Sequence, residues 1–351
     1  MTGVTLKTRK RNIVIPVDPA SFANAVIAIC QDAAEAAGAT TLKEKLDAGC
    51  KALEADSHLE FSRYNDTLFE VFFVGGMIAA GGKLSEETTS PLEENIMAQE
   101  ATQAAILPFV NIFVSMTRRR PFLIRGLENT IVKLLLTTEF FEEGMRQKLA
   151  IAMALVFAQK LPVVADNIFT KTFNDRLVTK GTMLDVMTCF FKEFLISNDI
   201  EDLVSILTRG KIVNRLLDYL PPLTRSYAEF NRHFTEAGLP KLVLWHNKEI
   251  VAIKINDLMQ ELQENVQMDP PISSSDAISM VKQRTEEGSL PADEVIRVIW
   301  LAMVQSINMT GKNQQQLLQA VISLIKKYHK LLAANASNTK LQVALLVTVQ
   351  V

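Results

Sequence analysis

Four histidines, His58, His233, His246 and His329, are the side chains best suited to act as bases or metal ligands. His246 and Glu249 share a helical face, but no histidine has a second one three or four positions away. A zinc site needs several such ligands converging on one point. The acid pairs Glu86-Glu87, Glu93-Glu94, Glu142-Glu143 and Glu286-Glu287 fall in loops or first helical turns. Acid–base work would require apolar surroundings that shift their pKa, and a solvated face is the expectation instead. Gly75, Gly76, Gly81 and Gly82 outline a phosphate loop, yet they follow a helical pattern and not a strand. Leu84 stands after Gly82-Lys83, where a Ser or Thr is required. Cys30, Cys50 and Cys189 are far apart and odd in number, which suits free thiols in a reducing compartment. With no nucleophile elbow and no kinase signature, the residues imply no enzyme, no metal and no cofactor.

What remains is binding chemistry, carried by three basic clusters. Lys7, Arg9, Lys10 and Arg11 precede Pro16 and Pro19. They read either as a solvated flexible arm or as a binding or nuclear-import segment. Arg118, Arg119 and Arg120 precede Pro121 at a helix end. There they either face the negative end of the helix dipole or meet an acidic partner or RNA phosphate. Lys326, Lys327 and Lys330 lie near the end of the last helical pattern. From Val295 to Val351 the chain holds six Lys or Arg and no Asp or Glu. One-sided charge of this kind suits an acidic partner or an acidic intramolecular neighbour. RNA binding lacks aromatic stacking platforms beside the basic residues.

The elements that must position these clusters are helical. The 351 residues suffice for two or three domains, and 48% hydrophobic with 22% charged residues is ordinary globular composition. A net charge of −2 does not argue for nucleic acid, so no specific DNA partner is expected. The N-terminus lacks an apolar signal core, and the longest apolar runs are too short to span a bilayer. A soluble, cytoplasmic protein without a membrane partner is expected.

Leu59 to Gly82 reads as one amphipathic helix ending in a double-glycine turn. Phe61, Tyr64, Leu68, Val71 and Phe72 form its inner face, with Arg63, Asn65, Asp66 and Glu70 on the outer one. Residues 83–94 read as a polar, acidic and flexible excursion. Further helical patterns follow at Leu123–Thr137, Glu142–Ala158, Val163–Val178, Thr182–Phe194 and Asp199–Arg209. Gly238 and Pro240 close the next one, and Lys241–Gln267 is one long pattern. Ala277–Glu287, Pro291–Ile307 and Lys312–Leu332 complete the series. No useful alternation of strand type precedes residue 341. Antiparallel helix pairs of this spacing predict an all-α, HEAT/armadillo-like right-handed stack. Its expected division is a flexible basic arm at 1–17, a helical array at 18–240, and a connecting helix with an incomplete C-terminal domain at 241–351.

Four segments carry a resemblance in collinear order. They are Lys7–Arg11 followed by Asp18-Pro19, Arg63–Gly82 (RYNDTLFEVFFVGGMIAAGG), Phe234–Leu239 (FTEAGL), and Val295–Trp300 with Lys326–Ala333 (KKYHKLLA). Together they resemble the basic leucine zipper and W-two domain proteins, also described as mimics of translation initiation factor five. The zipper of that name has no counterpart here, because Ile13, Val14, Ile15 and Pro16 follow the basic cluster in place of sustained heptads.

The resemblance implies a non-enzymatic regulator of translation initiation. It would compete with initiation factor five for initiation factors two and three in the preinitiation complex, and so affect start-codon stringency. In the family, a C-terminal HEAT-like domain ends in two acidic and aromatic boxes resembling those that grip a lysine-rich tail of factor two. This sequence ends at Leu341–Val351, mid-domain by that comparison, and nothing in it matches the boxes. The C-terminal domain is therefore expected to be truncated, and the resemblance carries factor three over more directly than factor two. A generic HEAT-type scaffold or transport adaptor, without a translation role, is the other reading.

Overall fold

Several helices begin on a side chain that accepts from a free backbone amide. Asp18 accepts from Ser21 N at 2.9 Å, with Pro19 supplying the preset first-turn φ, and this opens α1 (Pro19–Ala36). Thr41 and Glu44 form a reciprocal capping box at α2 (Leu42–Ala55). Thr102 caps α4 (Gln103–Arg119), Asn174 caps α8 (Asp175–Thr179), Asp199 caps α10 (Ile200–Arg209) and Ser226 caps α11 (Tyr227–Glu236). The other helices are α3 (Asn65–Val74), α5 (Leu123–Thr137), α6 (Glu143–Ala158), α7 (Ala165–Phe169), α9 (Thr182–Ser197), α12 (Pro240–Gln267) and α13 (Ser274–Gly288).

These elements come from a computed structural model of the chain. It describes residues 18–267 and 272–288, together with 290, 295, 297–299, 301–302, 319, 322–323 and 326. The expected arm at 1–17 and most of the last two helical patterns lie outside the described residues. Among the described residues there is no strand, only an isolated antiparallel bridge between Ile78 and Leu84. No helix among them is long and apolar enough to cross a membrane.

The chain divides into two compact units, Met1–Pro240 and Lys241–Val351. In the first, the helices stack in two rows. One row runs α2, α4, α6, α9; the other runs α1, α3, α5, α7, α10. Rungs such as α1 against α2 and α9 against α10 join the rows, and this gives the two-layer stack of a HEAT-like array. The core between the rows is aromatic. Phe69, Phe72 and Phe73 surround Phe113, while Phe157, Phe169 and Phe190 form a second cluster, with centroids 5.2–6.1 Å apart. In the second unit, Leu258 and Leu262 of α12 share a core with Ala277 and Val281 of α13 and with Val295, Val298 and Ile299.

Three local outcomes differ from the pattern in the sequence. First, α3 starts at Asn65 and not near Leu59. Phe61 and Tyr64 lie in the turn before it, buried, with Asp18 N donating to Tyr64 Oη at 3.0 Å. Second, Val163–Val178 is not one helix. Asn174 accepts from Arg176 N and Leu177 N, which starts a new helix there. Third, residues 83–94 are anchored. Lys45 pairs with Glu94 at 2.5 Å, and Asn24 bonds to Glu87 and Thr89.

The tightest seam is that of α3 with α5. A Cβ on Gly126 would come within 2.5 Å of the Asn65 carbonyl, so only glycine admits this approach. Thr130 Oγ1 donates to Asp66 O at 2.9 Å. Lys133 Nζ donates to the buried Glu70 at 2.7 Å, whose other oxygen accepts from Ile78 N at 2.9 Å. Glu70 thereby fastens the chain that leaves the double-glycine turn, where Gly75 has φ +84°.

Candidate partner-binding surface

The outer face of the α2–α4–α6–α9 row carries two grooves. The first, about 280 Å³, lies between α2 and α4 and is lined by Lys43, Asp47, Lys51, Asn111 and Ser115. Arg119 crosses its end to pair with Glu54. Cys50 also lines it, with its thiol pushed up to about 12, first by burial and then by Glu54.

The second groove, about 540 Å³, lies between α6 and α9, with His233 of α11 beside them. Asp185, Thr188, Cys189 and Lys192 recur at spacings of three, one and three along α9, so one helix face presents all four. Opposite stand Glu143, Arg146 and Gln147 of α6. Arg146 Nη1 donates to Phe141 O at 3.0 Å, but its Nε is buried with no hydrogen-bond partner among the described residues. Asp185 is exposed, and its side chain has no hydrogen bond or ion pair among the described residues. Partial desolvation raises its carboxyl, against the opposing pull of Arg146 and His233. Thr188 Oγ1 and His233 Nε2 are 3.0 Å apart, and burial lowers the His233 pKa.

This arrangement presents polar groups for recognition. It offers one buried donor without a partner among the described residues, Arg146 Nε, beside the exposed Asp185 carboxylate, and a peptide side chain can engage both. The Cys189 thiol is not activated, because burial, then Glu193, pushes it up to about 11. Cys30 is likewise pushed up to about 12, first by burial. No cluster of three or more metal-ligating side chains occurs among the described residues.

The three arginines ending α4 have separate environments. Arg119 pairs with Glu54, and Arg120 lies 4.2 Å over the Phe61 ring while donating to Glu54 O. Arg118 is exposed and has no partner among the described residues. One free charge is therefore present at this corner, not three. Lys326 is exposed. Lys7, Arg9, Lys10, Arg11, Lys327 and Lys330 lie outside the described residues.

Sequence reasoning missed the groove between α6 and α9. Asp185 and Lys192 bracket Thr188 and Cys189 at helical spacing, which was the available signal, but Arg146, which lines the same groove, is 39 positions before Asp185. It also missed the buried carboxylates. Besides Glu70, Glu128 accepts from Val164 N at 2.6 Å and Asn167 Nδ2 at 2.9 Å, fixing the start of α7. Glu139 pairs with Arg176 and with Lys180, tying the chain before α6 to α8 and the turn after it.

The sequence model of the family described as "5MP1/2 HEAT domain" matches residues 6–255. The chain is 28% identical over 352 residues to eIF5-mimic protein 2 of Gallus gallus, covering 100% of this chain and 80% of that protein. The same figures hold for eIF5-mimic protein 2 of Homo sapiens. With eIF5-mimic protein 1 of Gallus gallus the identity is 27% over 354 residues, covering 100% of this chain and 82% of that protein.

Proposed function

The chain belongs to the 5MP1/2, or eIF5-mimic, protein family, and from that premise we propose that it regulates translation initiation by binding, without catalysis. It competes with initiation factor five for initiation factors three and two in the preinitiation complex, and this alters start-codon stringency. The observation that supports the reading is the collinear match of the whole chain to proteins named for mimicry of eIF5. The helical array gives such a protein a long face for partners. In this reading the basic arm is 1–17, the array is 18–240, and 241–351 is the part related to the C-terminal domain of factor five.

The open groove between α6 and α9 is the principal docking surface we assign to the array. Arg118 and the clusters at Lys7–Arg11 and Lys326–Lys330 add charge for acidic partners.

The test is affinity capture from cell extract on the immobilised 351-residue chain, with the retained proteins identified by mass spectrometry. Recovery of factor three, with or without factor two, supports the reading. Recovery of neither by the folded protein overturns it.

A further inference from the structure

The connection from Gly75 to Thr102 is far longer than neighbouring helices in an array require. It is nevertheless tied down. Leu92 N donates to Gly75 O at 2.8 Å. Asn24 of α1 reaches across to it: its Nδ2 donates to Glu87 O at 3.0 Å, and its Oδ1 accepts from Thr89 N and Thr89 Oγ1 at 3.2 and 3.3 Å.

Four hydroxyls lie between Ser85 and Pro91, and three are engaged. Ser85 Oγ accepts from Glu87 N, Thr88 Oγ1 accepts from Met77 N, and Thr89 Oγ1 donates to Asn24. Ser90 has no hydrogen-bond partner among the described residues and is exposed, as is Pro91 after it. Pro91 removes the next amide donor and biases Ser90 toward extended backbone. An exposed, unengaged serine hydroxyl before proline is the local chemistry that a proline-directed kinase reads.

We infer that Ser90 is a phosphorylation site for a proline-directed serine/threonine kinase, and that phosphate there opens the Asn24 clamp. The inference does not rest on the family assignment. In the transfer, Ser90 Oγ bonds to the γ-phosphorus of ATP, the bond to the bridging oxygen breaks, and ADP leaves. The hydroxyl proton passes to the kinase's base. The new group carries a charge approaching −2. It stands within four residues of Glu86, Glu87, Glu93 and Glu94, next to the residue that Asn24 holds. Like-charge repulsion across this stretch favours the open form.

The full chain, its Ser90→Ala and Pro91→Ala forms, and an Asn24→Ala form with the clamp removed are incubated with ATP and a purified proline-directed serine kinase. Mass spectrometry then maps the phosphate. One phosphate on Ser90 is expected, lost in Ser90→Ala, strongly reduced in Pro91→Ala and faster to form in Asn24→Ala. No label on Ser90, even in Asn24→Ala, overturns the site. Equal labelling of Pro91→Ala overturns the kinase class. Amide exchange at Thr89 reads the clamp: faster exchange in the phosphorylated chain is expected, and unchanged exchange overturns the switch.

Discussion

The seam between α3 and α5 and the groove between α6 and α9 are both junctions of neighbouring helices in one array, and they are built in opposite ways. In the seam, backbone meets backbone at Gly126, and the polar groups beside it are paired: Thr130 with Asp66, Lys133 and Ile78 N with Glu70. In the groove, Arg146 Nε is buried with no partner among the described residues, and the Asp185 carboxylate beside it is exposed. A satisfied polar contact locks one arrangement, whereas an unmatched donor or acceptor is stabilised by whatever supplies the missing bond. The seam holds the array together, and the groove is the surface proposed above for docking.

The largest expected effect breaks the seam. Gly126→Val places side-chain atoms where the Asn65 backbone already stands. It should cost upward of about 3 kcal/mol, since neither helix can yield without opening the core. Denaturant unfolding checks this; a loss under about 1 kcal/mol would mean that the seam is loose.

Glu70→Ala comes next. It leaves Ile78 N without its acceptor and removes the ion pair to half-exposed Lys133, for an expected loss of about 2–3 kcal/mol. Exchange protection at Ile78 should fall with it. Retained protection would show that another group holds the double-glycine turn.

A smaller, pH-dependent effect should appear in the second unit. Burial pulls His246 down to about 4, so it stays neutral in the folded state while the unfolded chain protonates below about 6.5. The unfolded state then binds more protons between these values. Stability should therefore fall as pH drops from about 6.5 toward 4, by about 1–3 kcal/mol. His246→Gln should flatten that slope; an unchanged slope would assign it to other groups.

The sequence made the helices of this contrast readable but not the contrast itself. The double glycine, the Asp199 cap, the hairpin Leu123–Ala158 and the Gly238 stop, with φ +82°, are local signals, and the helices begin or end there. The HEAT-like, all-α fold followed from their spacing and from the resemblance to the family. Glu70 was expected on a solvated face because acids usually lie there. It is buried because α3 is covered on every side from Thr67 to Phe73, and its partner Lys133 is 63 residues away. Arg118, Arg119 and Arg120 are identical in type and adjacent in sequence. Only the placement of Glu54 and Phe61 separates the two arginines held by structure from the one left free. Pairings of this range leave no periodicity for a sequence to reveal.

The proposed competition through the array is open to a binding titration. Labelled initiation factor five is held on factor three and displaced by this chain, in parallel with Asp185→Lys and Gly126→Val forms. Displacement by the wild-type chain is expected, with weaker displacement by folded Asp185→Lys and by the destabilised Gly126→Val form. Factor five that remains bound at saturating concentrations of the folded wild-type chain would contradict the account.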